Sequence, residues 1–449
     1  MTNSSKSIRQ SNLYSGLVQH NRFESRESEY IRWYPKSLTP HFDTASLRPN
    51  PNGIYIHVPF CDRLCRFCPF NKQVTKAHDV ALYVEALTCE IDIYASLSLN
   101  SSIEFIYFGG GTPSALGVSS LSRILEHIRT RFRVSSDAEV TLEAHPSHLD
   151  RAFAKSIRGL GVTRVSSGVQ SFDDGNLERL GATHRTAESL KAIEAVGAVL
   201  GGVSIDLLFR SPGQSLGDWE RDLSAALSMP EVDHLSLYSL ILKDSTTQPA
   251  AESEAAMTVL AHELIAPTGM LHYASCASGG FDFARPSHEC VYEVRHWGAP
   301  QAEFLGLGPG ALGFVGSSTS VNGLGLKEYF SALQARRLPL VSLTPAFGDE
   351  AMRRYFVLGV KTLKVGLAEF RAKFAVDPLT YFESEISRLA DDGFAVVEND
   401  NLVLTPLGRL FVDSVSTTFF SKGEALVPHP EEPEIRRAEI ESRRVRARM

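Results

Sequence analysis

A chain of 449 residues with 43% apolar and 9% aromatic residues can bury the cores of two or three domains. Its net charge of −7 argues against a polyanion-binding protein, so no nucleic-acid partner is expected. No apolar run approaches the roughly 18 residues of a membrane span. The start MTNSSKSIRQSN lacks a secretory apolar region. A monomer in the reducing cytoplasm is the expectation.

Residues 1–50 are polar, then aromatic and basic, and read as an N-terminal extension packing on the main body. From 51 to 265 the pattern alternates. Short β-branched or apolar runs fall at 54–58, 103–108, 139–143, 164–169, 202–208 and 233–242. Helical periodicity separates them at 80–95, 119–132, 149–160, 187–196 and 217–228. Alternation at this spacing predicts βα units on a parallel sheet. Six units are too few for a closed eight-stranded barrel. The expected fold is therefore α/β, a partial (β/α)6 barrel, with ligands at the C-terminal ends of the strands. Residues 266–345 form a mixed segment facing the substrate, with Gly306, Gly308 and Gly310 reading as a turn-rich stretch. Residues 346–425 predict a small C-terminal winged-helix-like α+β domain whose wing turns at Asn399–Asn401. Its composition is not strongly basic, which favours a lid or support over DNA binding. Residues 426–449 are a charged tail.

Three of the six cysteines, Cys61, Cys65 and Cys68, lie in YIHVPFCDRLCRFCPFN directly after the first strand, spaced C-x3-C-x2-C. Thiolates this close serve a soft metal centre. A [4Fe–4S] cubane held by three thiolates keeps one iron open. Zinc is the alternative, with His57 as the nearest fourth ligand, but the second ligand pair of common zinc motifs is absent. Cys89 lies on the apolar face of the first helix, and Cys276 and Cys290 read as small buried hydrophobes. Gly109–Gly110–Gly111–Thr112–Pro113 follows the second strand and lets backbone approach a ligand.

These residues carry a resemblance. YIHVPFCDRLCRFCPFNK, YFGGGTPS, TLEAHP, RVSSGVQSFDDGNLERLG, SIDLLFRSPGQS and HLSLYSL, in that order, resemble the radical S-adenosylmethionine (SAM) superfamily, in the branch of the oxygen-independent coproporphyrinogen oxidases. The resemblance implies that Cys61, Cys65 and Cys68 hold a [4Fe–4S] cluster whose open iron binds SAM. The reduced cluster then cleaves SAM to a 5′-deoxyadenosyl radical, with an electron donor such as flavodoxin or ferredoxin. It places Tyr55 and Phe67 beside the cluster and adenine. Gly110, Gly111 and Thr112 would contact SAM, and Glu143 a ribose hydroxyl or ammonium group. Gln170, Asp206 and the backbone near Ile241 match a second SAM site. Arg210 stands where relatives carry glycine, and is expected either to reach substrate or to be a solvated charge.

Within the branch three functions compete. Porphyrinogen oxidases carry a fourth cysteine where this chain has Pro69–Phe70. Haem chaperones carry an H-N-x-x-Y-W segment, where this chain reads CVYEVRHW from Cys290 to Trp297. The class C radical SAM methyltransferases lack both, and the resemblance to them is the leading expectation. One SAM would make the radical and a second would donate a carbon to an sp2 centre of an aromatic, conjugated or tetrapyrrole substrate. Tyr292, Glu293 or His296 would move the proton. An oxidase-like or haem-degrading enzyme and a non-catalytic haem chaperone are the alternatives.

Overall fold

The computed structural model describes residues 33–421 except 36–37, 40–42, 45–46, Arg66, Pro69, Ser101, 241–250 and 276–279. The predicted charged tail, Ile241 and Cys276 lie outside the described residues, as does most of the N-terminal extension.

The strands in chain order begin with β1 (Gly53–Val58) and the two-residue pair β2 (Phe60–Cys61) and β3 (Gln73–Val74). Then come β4 (Ser102–Gly110), β5 (Arg133–Ala144), β6 (Arg164–Gln170), β7 (Val203–Phe209) and β8 (Val232–Ser239). Further along lie β9 (Leu271–Ala274), β10 (Phe281–Ala284), β11 (Phe304–Leu307), β12 (Leu312–Val315), β13 (Ser318–Asn322) and β14 (Leu340–Pro345). Helices α1 (Ala77–Leu97), α2 (Gly117–Arg131), α3 (Arg151–Gly159), α4 (Asp174–Leu180), α5 (Thr186–Leu200) and α6 (Leu216–Ser228) connect the first strands. They are followed by α7 (Ala251–Ile265), α8 (Val291–Trp297) and α9 (Leu326–Gln334).

One twelve-stranded sheet runs β14-β13-β12-β11-β1-β4-β5-β6-β7-β8-β10-β9. The six strands β1, β4, β5, β6, β7 and β8 pair in parallel, as the βα alternation predicts. A seventh parallel strand, β11, pairs with β1 on its free edge. The sequence stretch holding β11 reads as a turn because its glycines look like punctuation. Gly306 instead permits close strand contact: a Cβ there would lie 2.1 Å from the Leu312 carbonyl oxygen across the β11–β12 hairpin. Only Gly308 (φ 93°) and Gly310 (φ 80°) make the turn itself. Antiparallel strands extend both edges, β10 and β9 beyond β8, and β12 to β14 beyond β11.

Period-two alternation divides the strands between two environments. Ile54, Ile56, Ile106, Phe108, Val140, Leu142, Val165, Ile205, Leu207, Leu235 and Leu237 belong to the main hydrophobic core. The alternate positions, Glu139, Thr141, Glu143, Arg164, Ser166, Ser204, Asp206, His234 and Ser236, share the opposite face and are polar. Closed (β/α)8 barrels fill this layer with branched apolar residues; here it is a polar interior open to chemistry.

Side-chain caps set the helix starts. Asp150 accepts from Phe153 N before α3, Asp173 from Asn176 N before α4, and Ser215 with Asp218 forms a capping box at α6. Trp219 of α6 is fully buried, stacks on Phe209 at 5.2 Å and donates to the Met257 carbonyl at 2.9 Å, so α6 and α7 lock on the outer face of the sheet.

After β14 comes a helix, Asp349–Gly359, then strands β15 (Lys364–Gly366), β16 (Ala395–Glu398) and β17 (Asn401–Leu404) with short helices between. The wing turns through Asn399 and Asp400, both at positive φ as a tight hairpin requires. A third strand, β15, pairs with β17 beyond the expected two.

Candidate functional site

The cysteine loop runs from β1 to α1 and is tied down at both ends. β2 and β3 pair in parallel, and Gln73 N donates to the Pro59 carbonyl at 2.7 Å. Gly111 N and Thr112 N of the glycine turn donate to the Val58 and Phe60 carbonyls at 2.8 and 2.7 Å. A Cβ on Gly111 would lie 2.8 Å from those oxygens and 3.1 Å from the Cys61 sulfur, so only glycine lets the turn reach the loop. His57 braces the other side: Nε2 meets the Asn71 carbonyl at 2.9 Å and Nδ1 the Tyr55 hydroxyl at 3.2 Å. Lys72 Nζ donates to the Cys68 carbonyl at 2.6 Å.

Cys61 is buried, and Cys65 and Cys68 are half-buried. Burial pushes the Cys61 thiol up to about 11, and the neighbouring Cys68 and Cys65 add to it while Thr112 opposes it. Burial, then Cys68, also raises Cys65. Cys61 and Cys65, each raised in part by a neighbouring thiolate, invite a cation to displace their protons. The Thr112 hydroxyl donates to Cys61 Sγ at 3.3 Å. Thr183 bonds to Cys65 and is itself met by His145 Nε2 at 2.9 Å. Among the described residues, no three donors converge on one point as a single zinc ion requires; a cubane takes each thiolate on a different iron. The donor set fits a [4Fe–4S] cluster.

Beside this loop the polar interior of the barrel carries carboxyls. Glu143, at the end of β5, accepts from the Tyr107 hydroxyl at 2.8 Å and from Gly110 N at 3.2 Å. Burial and the nearby Asp206 carboxyl push it up to about 7 against those two donors. Asp206 accepts from Ser166 at 3.2 Å and is also pushed to about 7, by burial and by Glu293, against Ser166 and Arg164. Gln170 sits at φ 66°, and its amide folds over Gly168, the residue paired with Asp206. Phe67 packs with Leu180, Leu208 and Leu240, carrying the cysteine loop across to β7 and β8.

Helix α8 approaches from the opposite end of the strands. Arg295 pairs with Glu104 at the start of β4, and Glu139 Oε1 accepts from Val291 N at 3.0 Å. Tyr292 packs on Tyr107 and Tyr55, with ring centroids 4.6 and 5.6 Å apart. Glu293 accepts from the Trp297 indole and is pushed to about 7 by burial, against Trp297 and Lys361. His296 is buried, stacks on Trp297 at 3.9 Å and meets the Tyr292 hydroxyl at 3.0 Å through Nδ1; burial holds it well below the usual histidine range.

Most of the residues singled out in the sequence therefore gather around one barrel mouth: Cys61, Cys65, Cys68, Phe67, Gly110, Gly111, Thr112, Glu143, Gln170 and Asp206. Tyr55 lies a layer deeper and reaches the cysteine loop through His57. Arg210, directly after β7, is not a solvated charge: it is buried and pairs with Glu254 of α7 at 2.8 Å. The sequence reading passed over Tyr107, Arg164, Ser166, Ser204 and His234, and weighed His57 only as a zinc ligand. Their signal is alternation, as in RVSSGVQ and VSIDLLF, where every second residue is polar or glycine until the last turn of the strand.

Comparison with known proteins gives the family and the fold. Residues 55–226 match the radical SAM superfamily model, and residues 348–411 match the HemN C-terminal domain. Heme chaperone HemW of Mycobacterium tuberculosis (strain ATCC 25618 / H37Rv) is 31% identical over 385 residues, 83% of this chain and 96% of that protein. Heme chaperone HemW of Bacillus subtilis is 28% identical over 82% of this chain and 99% of its own length. The solved Escherichia coli coproporphyrinogen III oxidase HemN superposes with a TM-score of 0.75 at 21% identity, covering 87% of this chain and 96% of its own, which establishes the shared fold. The chain belongs to the radical SAM superfamily, in the HemN-like branch that carries the HemN C-terminal domain. Its cofactors are a [4Fe–4S] cluster and SAM. The class C methyltransferase sub-branch, expected from the sequence, gains no support from these relatives.

Proposed function

We propose that this protein is a radical SAM enzyme acting on a tetrapyrrole-class substrate, a planar conjugated ring system taken at the barrel mouth. One observation carries the reading: carboxyls Glu143 and Asp206 ring a mouth floored by the stacked aromatics Tyr55, Tyr107 and Tyr292. Such a floor suits a flat conjugated ligand, and the carboxyls suit pyrrole N–H and ammonium groups. Near full-length likeness to proteins named heme chaperones supports the tetrapyrrole class.

Cys61, Cys65 and Cys68 would hold the cluster, which when bound supplies the electron that cleaves SAM. Gly110 and Gly111 keep side chains away from the neighbouring cofactor. Glu143, with Tyr107 orienting one oxygen, offers the other to a ribose hydroxyl or ammonium group. Gln170 and Asp206 are placed for a second SAM molecule or for substrate. Phe67 and Leu208 form an apolar wall that excludes water. A flavodoxin- or ferredoxin-like donor is the electron source. Because His296 is packed between Trp297 and Tyr292, its role is to fix Tyr292 rather than to ligate iron.

A second reading, carbon methylation with one SAM as donor, is favoured by Glu293. This acid is poised near neutrality beside Tyr292, in the segment where haem chaperones carry their His–Asn pair. None of the relatives described above is a methyltransferase, so it stands second.

The test is anaerobic reconstitution with SAM and dithionite, with and without haem or a reduced porphyrinogen. The expected result is 5′-deoxyadenosine formation that rises several-fold with the tetrapyrrole and yields an altered pyrrole spectrum. S-adenosylhomocysteine accumulating with a non-tetrapyrrole aromatic acceptor would move the assignment to methyl transfer. A haem Soret band without any SAM cleavage would leave a chaperone.

A further inference from the structure

Inside the barrel, five side chains form an unbroken hydrogen-bonded path from the mouth toward the far end of the strands. Ser166 Oγ lies 3.2 Å from Asp206 Oδ1 and 3.1 Å from Ser204 Oγ. Ser204 Oγ lies 2.8 Å from His234 Nδ1, and His234 Nε2 lies 2.8 Å from the Tyr273 hydroxyl. That hydroxyl accepts from Cys290 N at 3.1 Å, the amide immediately before α8. β6, β7, β8 and β9 each contribute to the path, so it exists only in the folded barrel.

Every interior member both donates and accepts, and a hydroxyl has one proton to give. The path therefore has two self-consistent senses. An ionised Asp206 draws the Ser166 proton, Ser166 accepts from Ser204, and Ser204 accepts from His234 Nδ1–H. His234 Nε2 is then an acceptor for Tyr273. A neutral Asp206 donates to Ser166, and each bond reverses: Ser204 now donates to Nδ1, and Nε2–H donates to Tyr273.

We propose that this path transmits the charge of Asp206 to Tyr273, the Nδ1–H tautomer of His234 accompanying ionised Asp206 and the Nε2–H tautomer accompanying its neutral form. His234 is the positioning residue of the path. Burial holds its basicity well below the usual histidine range, with Arg164 and His288 adding to the effect, so it changes tautomer rather than charge. Asp206 faces Arg164 of β6, Glu143 of β5 and Glu293 of α8. Tyr273 faces Asp282 of β10, Arg164, and Cys290 and Glu293 at α8. A cationic ligand in the mouth, such as the sulfonium of SAM, favours ionised Asp206 and turns the Tyr273 hydroxyl toward His234. The state of the mouth is thereby registered beside the start of the helix that carries Tyr292 and Glu293. The inference stands whatever the substrate, since it concerns only these five groups.

The test is long-range proton–nitrogen NMR of the full-length protein carrying its oxidised, diamagnetic cluster and labelled with 15N-histidine and 13C-aspartate, the His234 signals being identified by loss in His234→Gln. The pH runs through Asp206 titration, followed by its own carboxyl carbon. The expected result is a His234 tautomer ratio that changes about tenfold or more with the same midpoint as Asp206, moving toward Nδ1–H when SAM is added near neutral pH. Ser204→Ala cuts the path and leaves the tautomer fixed while Asp206 still titrates; Ser204→Thr, which keeps the hydroxyl, restores the coupling. A single tautomer throughout Asp206 titration in the unaltered protein overturns the proposal. So does a tautomer change that persists in Ser204→Ala.

Discussion

The Thr112 hydroxyl donates to the sulfur of Cys61 across 3.3 Å, joining the glycine turn after β4 to the first cysteine of the triplet. Thr112 was expected from the sequence to contact SAM; its hydroxyl is engaged with the thiol. Hydrogen bonds to cluster sulfurs stabilise the reduced, more negative state. Losing about 1 kcal/mol of such bonding on a one-electron couple is worth roughly 40 mV. Thr112→Val is expected to lower the cluster midpoint potential by about that amount, and Thr112→Ser to keep it. An EPR-monitored redox titration of the reconstituted cluster reads the difference directly.

The acids of the mouth give a pH signature with a defined sign. Glu143 titrates near 7 in the fold and near 4.3 in an unfolded chain. Between those values the folded state binds more protons, so its contribution to stability falls as pH rises from about 4.3 to about 7 and is flat above. Half-buried His145, lowered to about 4, works in the opposite sense below about 6.5, and Asp206, Glu293 and Glu90 act in the same sense as Glu143, so the raw curve mixes them all. The difference between the unaltered protein and Glu143→Gln isolates the acid. The variant is expected to gain Tm relative to the parent as pH goes from 5 to 8. Thermal melts of cluster-free protein at a series of pH values check it, and a constant difference would reject the assignment.

Glu90 holds the last parallel strand to the outside of the barrel. From α1 this fully buried carboxyl accepts from the Tyr329 hydroxyl at 2.7 Å, Asn322 Nδ2 at 2.8 Å and Gly308 N at 2.9 Å. Burial raises it to about 7 against those three donors. Glu90→Ala strands three buried donors, and unpaired buried groups cost about 1 to 3 kcal/mol each before relaxation. A loss of roughly 3 kcal/mol or more in urea unfolding is expected. Tyr329→Phe, which removes one donor, is expected to cost about 1 kcal/mol.

Much of this arrangement was legible in the chain itself. The six parallel strands were found because each is a compact apolar run bounded by turns, the cysteines, glycine turn and Glu143 because they lie at the ends of those strands, and Asp206 because it is a lone acid within an apolar strand. β11 was missed: FLGL is short, and Gly306 serves a close strand approach that local sequence does not distinguish from a turn. The polar interior was missed for a related reason. Ser166, Ser204 and His234 look unremarkable singly, and their chemistry arises only when three strands lie side by side. The approach of α8 from the opposite end depends on long-range pairs such as Arg295–Glu104 and Glu139–Val291, which no local pattern encodes.

Arg210 is buried rather than the solvated charge that the sequence allowed, and it supplies the sharpest stability test. Its side chain is buried against Glu254 at 2.8 Å, yet its backbone sits at φ 64°, a conformation that favours glycine. The pair thus offsets both a desolvation cost and a backbone cost. Removing Glu254 takes a carboxylate from the buried Arg210 guanidinium, and breaking a buried pair in this way costs up to about 3–5 kcal/mol. Glu254→Ala is therefore expected to destabilise strongly. Arg210→Gly with Glu254→Leu removes the charges and the backbone strain together, and is expected to recover most of that loss. Denaturant unfolding of the single and double variants decides it. A double variant no more stable than Glu254→Ala would show that the ion pair itself holds α7 against β7.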